Sequence, residues 1–193
     1  MSKIQTILEY QGLAKRTCPN LEVEGANESH TNLGVITEIG EALDIFKKLL
    51  AYKKPMDLVN LGEELADMAW YIVNKCRFQE VALDDDFEIV LNDTKEFIEN
   101  SLFTQQDLPV EIKSEAILTL ILASYCAPVG IMFNAPIIQL AVLSHIASWF
   151  NLDFFQCLTN NIEKLKVRYP EKFTEEAAQN RDLEAERAEL EKE

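Results

Sequence analysis

Histidine, cysteine, glycine and proline are all scarce in this chain, at two, four, six and six among 193 residues. The histidines, His30 and His145, and the cysteines, Cys18, Cys76, Cys126 and Cys157, are scattered, with no C-x-x-C pair, so no zinc pattern is present. Thiols so far apart in a chain this long read as buried, reduced groups. With so few glycines and prolines, long stretches run uninterrupted, and their apolar residues recur near every 3.6 positions; the natural fold class is all-α. Positive charge is also in deficit. Eighteen Lys and Arg against 33 Asp and Glu give a formal net charge of -15, a surface that repels polyphosphate backbones and excludes non-specific nucleic acid as a partner. A small anion remains accessible to such a chain if a divalent cation mediates. The opening MSKIQTILEYQGLAKRT lacks an apolar core ending in a small-residue cleavage site, so no signal peptide is expected. Charge is missing from one long stretch, Ala116 to Leu152, but Pro128, Gly130, Asn134 and Pro136 break it. Each arm falls short of the roughly 20 apolar residues that a spanning helix needs. It reads as a buried helical hairpin, no membrane is expected as a partner, and the chain reads as cytoplasmic.

What is present fits one domain over residues 1–193, with 48% hydrophobic and 26% charged residues. A short helix is predicted from Ile4 to Lys15, followed by a loop, CPNLEVEGANESHTN, in which His30 falls. A strong helix is predicted from Asn32 to Tyr52. Asp57 is a plausible N-cap for the next, Leu58 to Arg77. Residues 82–102 form an acidic amphipathic pattern with Phe87, Val90, Leu91, Phe97 and Ile98 on its apolar side. After the uncharged hairpin, with His145 as a core histidine, a helix is predicted from Asp153 to Tyr169, stopped by Pro170. The charged segment 175–193 reads as a solvated helix with a frayed end.

Four carboxylates carry the chemical signal. At 100° per residue, Ile45 and Leu49 lie about 20° either side of Glu38, so Glu38 points with the hydrophobic arc of its helix and Glu41 sits at that arc's margin. A carboxylate so placed costs several kcal/mol of desolvation unless it is protonated, paired with a cation such as Lys48, or bound to a metal. On the following helix Glu64 and Asp67, three apart, share a narrow polar stripe. If the two helices pack antiparallel, the stripe can face Glu38 and Glu41. Two unit charges about 4 Å apart repel by roughly 4 kcal/mol at an effective dielectric near 20, and a divalent cation reverses that sign. All-oxygen ligands favour Mg²⁺ or Mn²⁺. The bland alternative is a solvated Glu64–Asp67 stripe and a lysine-paired Glu38.

These residues resemble a known signature. E-I-G-E (Glu38 to Glu41) followed by E-L-A-D (Glu64 to Asp67) resembles the E-x-x-E…E-x-x-D pattern of the all-α nucleoside triphosphate pyrophosphohydrolases, the superfamily of MazG, the dimeric dUTPases and phosphoribosyl-ATP pyrophosphatase. Y-Q-x-x-A-x-x-T (Tyr10 to Thr17) is similar to the N-terminal helix of small MazG-like proteins. N-I-E-K-L-K-V-R-Y-P-E-K-F (Asn161 to Phe173), with N-R-D after it, is similar to their closing motif. The resemblance covers about 1–78 and 140–185; residues 80–138 read as a helical insertion. It implies a helical bundle, Glu38, Glu41, Glu64 and Asp67 as ligands of Mg²⁺, with Mn²⁺ possible, and hydrolysis of a nucleoside triphosphate to the monophosphate and pyrophosphate. One of the four acids or Glu63 would orient the water. It further implies that Asn161, Lys164 and Arg168, spaced i, i+3, i+7 on one helix face, reach the triphosphate, and that the protein is a homodimer or higher homo-oligomer. Lys48 is a further phosphate candidate. Gln11, Trp70 and Tyr71 can meet a nucleobase, although aromatics at helical spacing are more often core, and Trp70 reads first as core. The competing readings are a non-catalytic helical interaction module that retains the fold, and a phosphoribosyl-nucleotide or nucleotide-sugar substrate in the same enzyme class.

Overall fold

Local capping chemistry sets where most of the helices begin. A computed structural model describes residues 2–83, 87–100 and 136–192, and all of its regular structure is helical. The first helix, α1 (Ile7–Ala14), starts where the Thr6 hydroxyl accepts the Glu9 N–H at 3.1 Å, and runs into a 3₁₀ turn at Lys15–Thr17. The second, α2 (Ala26–Tyr52), begins earlier than the predicted Asn32. Gly25, at φ 74°, turns the chain into it, and Asn27 Oδ1 accepts the Leu21 N–H at 2.9 Å, tying the preceding loop to the helix. The added turn is polar, and its one fully buried side chain is Thr31, so apolar periodicity does not register it. His30 therefore lies on a helix and not in the predicted loop.

Residues 53–57 turn the chain back, with Lys53 left-handed at φ 53°. The third helix, α3 (Leu58–Phe78), opens on Asp57, which accepts the Asn60 N–H at 3.0 Å, as the sequence implies. Then come α4 (Phe87–Asn100), α5 (Pro136–Trp149) and α6 (Phe154–Arg168), the last capped by Asp153 through the Gln156 N–H at 3.0 Å. The predicted tail helix is two short pieces, α7 (Glu175–Gln179) and α8 (Leu183–Leu190). It is not simply solvated: α8 packs on α6 and Glu186 is buried. The uncharged hairpin's second arm is α5; its first arm, and most of the predicted insertion 80–138, lie outside the described residues.

At the centre stands α3, in contact with α1, α2, α5 and α6. Its Leu61, Leu65, Met68 and Val73 are buried with Val35, Ala42 and Phe46 of α2, Leu140 and Ile146 of α5, and Leu158 and Ile162 of α6. Each such side chain contributes about 1.5–3 kcal/mol relative to exposure, so the core fixes which face α3 turns away from it. Among the described residues no single helix is long and apolar enough to cross a membrane; α5 and α6 have the length together but meet at 104°.

Candidate functional site: an acidic cavity between α2, α3 and α6

The face of α3 that escapes the core carries Asn60, Glu63, Glu64, Asp67 and Tyr71, and these side chains line a cavity of about 380 Å³. From α2 come His30, Glu38 and Glu41; Leu165 and Arg168 of α6, followed by Tyr169, Phe173 and Arg181, complete the lining together with Thr17, Pro19 and Trp70. The size falls within the range of small-ligand sites.

Glu38, Glu41 and Glu64 each bring a carboxylate oxygen within 4.8 Å of the other two. Burial, reinforced by the neighbouring Asp67 charge, pushes Glu38 well above the ordinary carboxylate range, although a hydrogen bond with Glu64 pulls in the other direction. Glu64, only 4% exposed, is pushed up by burial and by Asp67, Glu41, Glu63 and Glu38. Of the three ways a carboxylate can tolerate such a place, Lys48 is not the one taken: it is exposed and pairs with Asp44 at 2.6 Å. Lys164 helps Glu38 only weakly against burial and Asp67, and the other two ways are a proton and a metal. With Glu38 and Glu64 both raised, a proton shared between them would let the trio stand without a cation. A hard divalent ion suits the same three oxygens, because it converts their mutual repulsion into attraction.

Asp67 lines the cavity but stands outside that trio. Its Oδ1 accepts from Asn161 Nδ2 at 2.5 Å, and its Oδ2 accepts from Lys164 Nζ at 2.6 Å. The structure accordingly revises the closing-motif expectation. Lys164 does not line the cavity; it is 1% exposed and spans Asp67 and Glu63, the latter at 3.1 Å. Asn161 is fully buried as well, accepting the Tyr10 hydroxyl at 2.9 Å while that hydroxyl also donates to the Ala66 carbonyl at 3.0 Å. Asn161 thus holds Asp67, and Lys164 holds both Asp67 and Glu63. Only Arg168 of the three reaches the cavity.

The chain matches no family model, no curated protein and no solved structure.

Gln11 is placed elsewhere: its amide donates to the Val73 carbonyl at 2.9 Å, and it lines a separate groove with Leu8, Cys76 and Arg77. Trp70 combines both readings, being buried in the core, donating Nε1–H to Thr17 Oγ1 at 3.1 Å and forming part of the cavity wall. Tyr71 stands edge-on to Trp70 at 4.9 Å between ring centroids and to His30 at 5.5 Å. Burial lowers the His30 pKa from its ordinary value. Gly34 lets Tyr71 in: a Cβ there would lie 2.1 Å from its ring. His145, on α5, is half-buried, with Nε2 at 3.0 Å from the Leu91 carbonyl. Sequence reasoning missed Arg181 and Glu186. The one signal available was an N-R-D triplet after the closing motif, which carried no role.

Proposed function

We propose that the protein is a divalent-cation-dependent nucleoside triphosphate pyrophosphohydrolase, converting (d)NTP and water to (d)NMP and pyrophosphate, a reaction suited to clearing unwanted nucleotides from the pool. The observation that carries this reading is the trio Glu38, Glu41 and Glu64, with oxygens within 4.8 Å of one another, in a cavity that also holds Arg168, Tyr71 and Trp70. Oxygen-only donors from two helices fit Mg²⁺, with Mn²⁺ as a substitute. A cation bound there would screen phosphate charge and lower the pKa of an attacking water.

The remaining steps fall to the chain itself. Asp67 and Glu63 are each held by Lys164, and Asp67 also by Asn161, so their oxygens keep a fixed direction next to the trio. A carboxylate held in this way can accept the proton of water as its oxygen bonds to phosphorus and the phosphoanhydride bond breaks. Arg168 offers charge-assisted hydrogen bonds to the phosphates. Tyr71, His30 and Trp70 offer ring edges and faces to the base. Self-association belongs to the same reading and is supported by Leu33 and Ile36, 62% and 55% exposed on α2; light scattering that finds only monomer would remove it.

Chromatography after incubation with a panel of nucleoside triphosphates decides the central claim. Monophosphate and pyrophosphate in Mg²⁺, and no turnover in chelator, are expected. Release of diphosphate and free phosphate would exclude the reaction, and no turnover on any nucleotide would favour the non-catalytic interaction module instead.

A further inference from the structure

The last described helix, α8, brings one acidic side chain inward, where two arginines meet it. Glu186 of α8 is 2% exposed. Arg168 donates to it through Nε at 2.9 Å and Nη2 at 2.5 Å, and Arg181 through Nη2 at 2.7 Å, with Nε at 3.4 Å. One buried carboxylate thus holds two guanidiniums by the same edge, and the Nη1 end of each is not used in that contact. Both arginines line the acidic cavity.

Two guanidiniums fixed side by side are a poor arrangement for a fold that needs only one counter-charge for Glu186. They are a good one for a second anion, since each fork can take a tetrahedral oxyanion. The cavity therefore presents two kinds of surface. Acids of α2 and α3 suit a cation, and arginines from α6 and the segment after it suit a phosphate. A polyphosphate chain carrying a divalent cation satisfies both at once.

We propose that Arg181 binds the phosphate chain beside Arg168, and that Glu186 is the positioning residue that holds both guanidiniums at the cavity. The proposal rests on the pyrophosphohydrolase reading and extends it: the C-terminal segment, 181–186, completes the phosphate side of the site. Arg181 is 40% exposed at its side chain, so replacing it leaves the fold intact, and Arg168 still compensates Glu186.

Calorimetric titration of the full chain with inorganic tripolyphosphate in Mg²⁺, and with Mn²⁺ alone, tests this. Arg181→Gln should weaken tripolyphosphate binding at least about tenfold, the loss of one charge-assisted contact, with Mn²⁺ binding unchanged; Arg181→Lys, which keeps the charge, should recover part of the loss. Glu186→Gln should weaken tripolyphosphate binding as well, because both forks lose their anchor. Equal tripolyphosphate affinity in Arg181→Gln and the unaltered chain would overturn the clamp while leaving the enzyme reading intact. An unaltered chain that binds Mn²⁺ but no tripolyphosphate would also overturn the clamp; one that binds neither would take the enzyme reading down with it.

Discussion

Lys164 is the residue whose place in the fold differs most from what its sequence position suggests. A lysine in the last turns of a helix is ordinarily a solvated charge near the negative end of the dipole. Here it is fully enclosed, and although burial alone would lower its pKa, Asp67 and Glu63 outweigh that and hold it above 10.5. Lys164→Met should therefore destabilise the protein by about 3–5 kcal/mol, the usual result of stranding the partners of a buried ion pair, read from urea denaturation. A residue whose role was only to touch phosphate would leave stability within about 0.5 kcal/mol on replacement, and that outcome would return Lys164 to the surface-contact reading. The neighbouring acids explain the asymmetry: Asp67 is held by Asn161 and Lys164, whereas Glu38 and Glu64 have each other.

At the scale of elements, the α2–α3 pair makes the cavity possible, and two glycines on α2 show how. A methyl at Gly34 would fall 2.1 Å from the Tyr71 ring, too close to be absorbed without moving the ring or parting the helices. Nothing lies within 4 Å of a methyl at Gly40. Gly34→Ala should cost about 1–3 kcal/mol through overpacking, and Gly40→Ala should gain about 0.5–1 kcal/mol of helix propensity; thermal melts of the two variants give opposite signs if the packing is as described. This contrast also marks how far a sequence can be read. The cap at Asp57 was legible, because capping is settled within four residues. That Glu38 and Glu41 could face Glu64 and Asp67 was legible too, from helical spacing and a short connection; that Asp67 turns to Asn161 and Lys164 and leaves a trio was not. The start of α2 was not, because a buried Thr31 carries no apolar period. Nor were the Lys164–Asp67 and Glu186–Arg168 pairs, whose partners lie on different helices: spacing says which face a residue occupies, and only the packed arrangement says what meets it.

For the molecule as a whole, an excess of negative charge converges on a place where carboxylates are already crowded, so stability and cation binding should be linked through pH. Glu38 and Glu64 have folded pKa values above the ordinary 4.5, so between 4.5 and those raised values the folded chain holds more protons than the unfolded one. Stability of the cation-free protein must then fall as pH rises through that window. A divalent cation bound by the trio would remove the effect by taking the place of the protons, so its binding should release protons and strengthen with pH. The melting temperature should rise on adding Mg²⁺ or Mn²⁺ by mass action, and by more at pH 8 than at pH 6. Glu38→Gln and Glu41→Gln should each reduce the increment, and Glu38→Gln should also flatten the pH dependence of the cation-free protein, since it removes one of the two titrating groups. Differential scanning calorimetry at the two pH values, with and without the cation, reads all of these together. An increment that is the same in both variants and at both pH values would mean the cation sits elsewhere on this acidic surface, and the trio would then be a proton-sharing pair with a solvated neighbour.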